Sequence, residues 1–375
     1  MLIYTIQADL YALLILAIIY LSFKKKADLK NTSNQIFLLV VFLNAAALTL
    51  DIIMIILDGI PGQAASLALM TVTLLFYILN PLPCLVWLAY VDFFIYHDEK
   101  RMKRYALIAV IPAAINGVAA VASLFGGQLF WIGPDNVYHR GTLFFVMPVI
   151  CYLYMVFTVV YMLYNRNKIR RDDLLPLLFF AIPPLVAGII QSAIYGLALL
   201  WPALTISLLV VFIYIQSKLM NTDHLTGLFN RREFDYYLAD WPRRRFRKKY
   251  IAGIVLDMDF FKDINDTYGH IIGDTALAKM SEILRDSFSC NDFIARVGGD
   301  EFAVIIEVDT DSEINLLVER LEKNIAAFNT ADKEPYRLSV SIGYGVFSPE
   351  DGLTLTEFFH GLDTRMYEAK KSSRR

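Results

Sequence analysis

Cysteine is scarce in this chain, with three in 375 residues, at Cys84, Cys151 and Cys290. A set that is odd in number and widely spaced supports neither a disulfide framework nor a cysteine-based zinc site. Charge is also thin: 19% of residues are charged and 57% are hydrophobic, too apolar a balance for an ordinary soluble protein. No cationic excess exists. The net charge is −2, and it divides into +3 over residues 1–215 and −5 over residues 216–375, so a generic nucleic-acid surface is not expected. No cleavable signal peptide is evident, because the first apolar stretch is itself long enough to cross a bilayer.

What the chain does have is long hydrophobic runs. Seven stretches meet the length of roughly 20 mostly apolar residues that a span requires. They are Leu2–Phe23, Ile36–Leu57, Ser66–Tyr96, Tyr105–Phe125, Leu143–Tyr164, Leu174–Leu197 and Leu200–Ser217. Lysines and arginines follow the first, third and fifth stretches, at Lys24, Lys25, Lys26 and Lys30, then Lys100, Arg101, Lys103 and Arg104, then Arg166, Lys168, Arg170 and Arg171. The opposite loops hold only Arg140. The positive-inside rule therefore expects an external N-terminus and a cytoplasmic chain after Ser217. Asp51 and Asp92 fall near span ends, where exposure at the interface is expected to solvate them. Asn80-Pro81-Leu82-Pro83 and Pro183-Pro184 are expected to kink their helices. Trp131 and His139 sit on an outer loop, with interfacial anchoring favoured over ligand contact for Trp131. Nothing in this half names a sensed ligand.

The division expected is a seven-span membrane domain over 1–217, a polar connector over 218–224 and a soluble domain over 225–375. Tyr250–Leu256 is apolar and rich in β-branched residues, which predicts a buried strand. Helical spacing begins at Ile264. Ile294–Val297 and Phe302–Val308 flank Gly298-Gly299 as a hairpin would, and positive φ is expected at those glycines. A helix from Ile314, a strand over Leu338–Val346 and a last helix over Leu353–Lys371 complete an α/β sandwich on a mainly antiparallel sheet.

Chemistry is suggested where carboxylates gather. Asp257 and Asp259 end the hydrophobic strand, and Asp300 and Glu301 lie at the hairpin. Such groups repel one another unless a cation sits between them. Hard divalent cations take oxygen ligands, and Mg²⁺ commonly arrives with a polyphosphate.

Arg296-Val297-Gly298-Gly299-Asp300-Glu301-Phe302 resembles the signature of the GGDEF family of diguanylate cyclases. Asp223 through Arg232, the block from Asp257 to Asp274, Ser341-Ile342-Gly343 and Tyr367-Glu368-Ala369-Lys370 match further family landmarks in order. The resemblance covers roughly residues 220–375. It implies a nucleotidyl-cyclase-like α+β fold behind the all-α membrane bundle, and condensation of two GTP into cyclic di-GMP by a homodimer through this domain. It also implies Mg²⁺, two per site, with Mn²⁺ as a substitute. Asp257, Asp300, Glu301 and the Met258 carbonyl would hold the metal, Glu301 would help deprotonate the attacking hydroxyl, and Lys262 would neutralise phosphate charge. Lys370 and Arg374 would clamp the terminal phosphates. Asn265 and Asp274 would read guanine, His270 would touch substrate, and Gly298 and Gly299 would let the nucleotide approach.

By contrast, Asp259 divides evenly between a site role and a strand-end cap. The run Arg243-Arg244-Arg245-Phe246-Arg247-Lys248-Lys249 is read equally as solvated or as a contact for membrane lipid, at roughly 1 kcal/mol per cation near an anionic surface. Two departures stand out. Many family members carry Arg-x-x-Asp as an inhibitory product site before the signature, whereas Ser289 and Asp292 occupy those places here. The usual Gly-Arg-Asn continuation after the last helix is replaced by Ser373-Arg374-Arg375. A non-catalytic receptor for GTP or cyclic di-GMP is the principal rival reading.

Overall fold

Residues 2–26, 31–194, 199–240, 250–331, 333–348 and 352–373 are described in a computed structural model. Arg374 and the Arg243–Lys249 run lie outside the described residues. The chain divides into two units, Met1–Tyr214 and Ile215–Arg375.

The first unit is helical, as its hydropathy requires. Its helices are α1 (Leu2–Lys26), α2 (Thr32–Leu57), α3 (Gln63–Leu79), α4 (Leu82–Tyr96) and α5 (Glu99–Gly126). After a short hairpin of β1 (Phe130–Ile132) and β2 (Tyr138–Arg140) come α6 (Val146–Tyr164), α7 (Arg171–Phe179), α8 (Ile182–Ala193) and α9 (Leu200–Asn221), whose residues from Ile215 on belong to the second unit. Among the described residues, seven helical segments are long and apolar enough to cross a membrane. The third and sixth are each interrupted, at Asn80-Pro81 and at Phe180-Ala181, next to the prolines expected to kink them. Large apolar side chains such as Leu10, Leu14, Ile115, Val118, Leu153 and Val156 point outward and exposed. A surface of that kind suits hydrocarbon rather than water. Some interior polar groups pair: Asn44 Nδ2 donates to Thr205 Oγ1 at 2.8 Å, and Asn116 Nδ2 to the Tyr77 carbonyl at 2.6 Å. Trp131 and His139 face each other across the hairpin and stack with ring centroids 4.2 Å apart.

The solvation expected for the two span carboxylates is not found: Asp51 is half-buried, with its Oδ2 buried and unpartnered. Asp92 is not solvated at an interface; it is 4% exposed and bonded to Arg101 and Tyr161. Asp9 is fully buried within α1, a placement that the sequence reading did not anticipate.

In the second unit, strand β3 (Tyr250–Met258) is central, with β5 (Glu301–Val308) on one side and β6 (Val340–Phe347) on the other. β4 (Phe293–Arg296) pairs outside β5, giving the order β4-β5-β3-β6, and every pairing is antiparallel. The side-chain period of two assigns each face. Ala252, Ile254, Leu256 and Met258 pack toward α12 (His270–Ser287) and α13 (Glu313–Ala331). Ile251 and Val255 pack toward α10 (Arg231–Asp240) and α14 (Leu355–Ser373). Both faces of β3 are covered, so its sequence is apolar throughout until Asp257. The same parity puts Asp257 on the α14 face. The helix expected from Ile264 is two helices, α11 (Phe261–Tyr268) and α12, divided by Gly269 at φ 85°, a left-handed value that favours glycine.

Candidate functional site

Asp257 ends β3 directly opposite Glu301 on β5 and Ser341 on β6. The hairpin between β4 and β5 closes tightly: the N–H groups of Val297 and Gly298 both donate to the Glu301 carbonyl, at 2.9 and 3.3 Å. The Met258 N–H donates to the Asp300 carbonyl at 3.1 Å, tying the hairpin to the strand end. These bonds place the Asp257, Asp300 and Glu301 carboxylates at one end of the sheet. Neither Gly298 nor Gly299 adopts positive φ, contrary to expectation. Space is the reason for the first glycine. A Cβ at Gly298 would collide with the Glu301 carboxylate, and none would meet anything at Gly299, where the surface is open.

Arg296 braces this hairpin. Its guanidinium donates through Nε and Nη2 to the Gly299 carbonyl, at 3.1 and 2.6 Å, and through Nη1 to Asp223 at 3.1 Å. Burial works against charge on Asp223, but the Thr226 hydroxyl and N–H and Arg296 outweigh it and hold the carboxyl below 3.8. Asp259 is a structural tie. It is buried and accepts from Ser339 Oγ at 2.8 Å and Ser341 Oγ at 2.7 Å, which is the strand-end reading of that residue.

Helix α14 reaches the site because it lies very close to the sheet. A Cβ at Gly343 would meet the Leu362 backbone carbonyl and the Met366 nitrogen, so only glycine admits this approach. The outcome is an ion pair across 113 residues of sequence: Lys370 Nζ lies 2.6 Å from Asp257 Oδ1, with the two side chains 19% and 6% exposed. Burial pushes the Asp257 carboxyl above its ordinary 3.8; Lys370 opposes this, and Asp300 and Asp259 add to it. Burial likewise raises Glu301 above 4.5, reinforced by Asp257, Asp300 and Asp363, with Lys370 opposing. Asp363, on α14, is a neighbour that no motif signalled.

The remaining residues lie on the two helices that follow β3. Lys262 is exposed in the first turn of α11, immediately beyond the strand end. Phe260, half exposed, holds φ 56°, a left-handed conformation unusual for a side chain of its size. Asn265 lies against Gly273, where a Cβ would run into its amide oxygen. Asp274 follows on α12 and is exposed, as is His270 at the start of that helix. The structure thus brings Asn265 against Gly273 of α12, the residue before Asp274 in the chain. It brings Asp257, Asp300, Glu301 and Lys370 together, whereas Arg374 lies outside the described residues.

The donor set suits a hard cation. Two or three carboxylates and a strand-end carbonyl leave most of an octahedron for phosphate and water, the arrangement that Mg²⁺ prefers. Among the described residues no three acidic, histidine or cysteine side chains enclose a metal by themselves.

Comparison with known proteins gives a consistent picture. Residues 220–375 match the family model described as diguanylate cyclase, GGDEF domain. An uncharacterized membrane protein of Staphylococcus aureus strain USA300 is 30% identical over 233 residues, covering 55% of this chain and 64% of the relative. Its counterpart in strain NCTC 8325 / PS 47 matches to the same extent. The chain thus spans 64% of the length of these curated relatives. Among solved structures, a microbial GGDEF domain described in interaction with bis-(3′,5′)-cyclic di-GMP is 30% identical, covers 42% of this chain and 94% of its own, and has a TM-score of 0.36. The GGDEF domain of DgcB from Caulobacter crescentus, in complex with c-di-GMP, is 27% identical over 40% of this chain and 91% of its own, with a TM-score of 0.35. A signature hairpin braced beside an acidic strand end, in a segment that the family model matches from end to end, makes residues 220–375 a GGDEF domain of the diguanylate cyclase family.

Proposed function

We propose that this domain condenses two GTP into cyclic di-GMP and two pyrophosphates, and that residues 1–217 anchor and regulate it through the connector at 218–224. The observation that carries the reading is the convergence of Asp257, Asp300, Glu301 and Lys370 at one sheet end, beside Lys262 and the Asn265–Asp274 pair. A receptor that only binds nucleotide has no need of a raised-pKa carboxylate beside a metal-suited aspartate pair.

In the reaction each 3′-hydroxyl attacks the α-phosphorus of the other nucleotide. One P–O ester bond forms, the bond to pyrophosphate breaks, and the hydroxyl proton leaves to Glu301. Two domains must face each other, since each holds one GTP, so the working unit is a homodimer. Bound Mg²⁺ supplies charge neutralisation at the phosphates. The chain's own residues do the rest. Asp257 and Asp300, with the Met258 carbonyl, would hold the ion. Glu301, whose carboxyl burial and the neighbouring carboxylates raise above its ordinary value, is a stronger proton acceptor than an exposed glutamate. Lys262 and Lys370 offset phosphate charge, with Arg374 as a further clamp. His270 and the hairpin backbone at Gly298 and the open Gly299 border the nucleotide. Asp274 accepts from the guanine ring N–H and amine, and Asn265 fixes the base edge.

Incubating purified protein with GTP and Mg²⁺ and identifying the product by mass spectrometry tests the reading; nucleotide binding with no cyclic dinucleotide would favour the receptor. Asp274→Ser is expected to lower GTP-over-ATP selectivity by roughly 5- to 150-fold, because donors left unpaired in a site cost roughly 1–3 kcal/mol. Unchanged selectivity in competition assays would remove Asp274 as base reader.

Product inhibition through the segment before the signature should be weak. Ser289 is exposed and its N–H donates to Asp292 at 2.7 Å. Arg285, one turn earlier, donates instead to the Thr226 carbonyl at 2.6 Å. Without an arginine fork, affinity for an anionic dinucleotide loses about one to two orders of magnitude. Ser289→Arg is expected to restore inhibition by added cyclic di-GMP, and strong inhibition of the wild type at low micromolar product would contradict this account.

The apolar helices, together with relatives named as membrane proteins, support a membrane protein. The orientation proposed is N-terminus outside and GGDEF domain in the cytoplasm, because the cations cluster on one side. A reporter inserted after Lys24 that reads as external would overturn it.

A further inference from the structure

Three helices of the first unit enclose a cavity of about 410 Å³ that the cyclase reading does not use. Its wall is apolar, formed by Leu85 of α4, Ala106 and Ala109 of α5, and Ile150, Leu153 and Phe157 of α6. Its size is within the range of small-molecule sites, about 300–1,000 Å³. Leu85 and Ile150 are buried and form the floor; Ile108, Leu153 and Phe157 are more than half exposed on the outside of the bundle and form the mouth. A ligand therefore enters from the hydrocarbon side.

One end of the cavity is polar and built. Asp92 lines it and is 4% exposed. Its Oδ1 accepts from the Tyr161 hydroxyl at 2.5 Å and from Arg101 Nε at 3.3 Å, and Arg101 Nη2 donates to the Tyr161 oxygen at 3.1 Å. The guanidinium is also covered by aromatic rings, 3.5 Å from the Tyr96 centroid and 4.7 Å from that of Tyr105. Asp92 Oδ2, by contrast, is buried with no hydrogen-bond partner. A buried acceptor of this kind costs free energy until a donor reaches it.

We propose that this cavity binds a membrane-soluble amphiphile whose hydrocarbon body fills the apolar walls and whose hydroxyl donates to Asp92 Oδ2. Charge selects the head group. Arg101 already balances Asp92, so a cationic head would leave the site with an excess positive charge. An ionised carboxylate would face Asp92 and find the guanidinium occupied. A neutral hydroxyl supplies the missing donor and adds no charge. The inference stands apart from the cyclase reading, since it rests on the membrane unit alone.

The test uses the full chain in phosphatidylcholine nanodiscs and a diazirine-bearing long-chain alcohol, with crosslinks mapped by peptide mass spectrometry. Labelling is expected to concentrate on the cavity segments of α4, α5 and α6. 1-Dodecanol should compete at least tenfold better than dodecyl methyl ether, which has the same body and no donor. Ala106→Trp, which fills the cavity without moving a polar group, should abolish the concentrated labelling. Labels spread evenly over all lipid-facing helices would overturn the proposal, as would equal competition by the ether. If the tryptophan variant fails to fold, the alcohol–ether comparison in wild type decides alone.

Discussion

Glu301→Gln is expected to reduce cyclic di-GMP synthesis by about 10²–10⁴-fold, the range that a positioned general base contributes. Asp300→Ala is expected to fall at least as far. The fold should survive both changes. Glu301 serves the hairpin through its backbone carbonyl, which accepts from Val297 and Gly298, and the amide variant keeps that bond. Asp300 likewise contributes its carbonyl to Met258 rather than its side chain. Removing either carboxylate also relieves repulsion, since Asp257, Asp300 and Asp363 all push Glu301 upward. Activity and stability should therefore move in opposite directions, with the melting temperature in EDTA unchanged or slightly raised. Circular dichroism melts beside a GTP turnover assay separate these outcomes, and near-wild-type turnover in either purified variant would end the proposed mechanism.

Lys370→Ala is expected to make the stability of the unit over residues 215–375 depend steeply on pH and on Mg²⁺. The sign follows from linkage. Asp257 and Glu301 have folded pKa values raised above 3.8 and 4.5, so the folded state binds their protons more tightly than the unfolded chain does. Their contribution is fully present below those ordinary values and is lost as pH rises through the raised ones. Lys370 opposes the upward shift of both, so without it the window extends further upward. At pH 8 in EDTA the variant should lose roughly 1–3 kcal/mol, about the range for a polar partner left unpaired in a mostly buried pair. For a domain of this size each kcal/mol is worth about 2–4 °C. At pH 5 the loss should shrink, and Mg²⁺ at pH 8 should recover more in the variant than in the wild type. Thermal melts at the two pH values, with EDTA or Mg²⁺, measure this directly. Equal pH dependence in variant and wild type would show that Lys370 does not govern the cluster.

Much of this molecule was legible because it depends on local pattern. A bilayer span is a matter of length and apolarity, and among the described residues each of the seven stretches overlaps a helical segment long and apolar enough to cross, two of them interrupted. Pro81 and Pro183 lie beside the two interruptions because proline removes a backbone donor wherever it stands. Tyr250–Leu256 could be read as a buried strand, and Gly298-Gly299 as a hairpin, from a few residues each. The motif residues likewise named the GGDEF domain without coordinates.

Other features depended on which surfaces meet. Parity along β3 turns Asp257 toward α14, but only the close approach at Gly343 brings Lys370 to it from 113 residues away. Asp257 and Asp259 are equivalent in sequence, two apart on one face; pairing with Ser339 and Ser341 gives the second a structural task and leaves the first for chemistry. Distance from a span end suggested a solvated Asp92, yet Arg101 and Tyr161, nine and 69 residues away, fold over it and close off water. Hydropathy and motif spacing are summed along the chain and so are present in the sequence itself. The partner of a buried charge is set by long-range packing, and only the tertiary structure decides it.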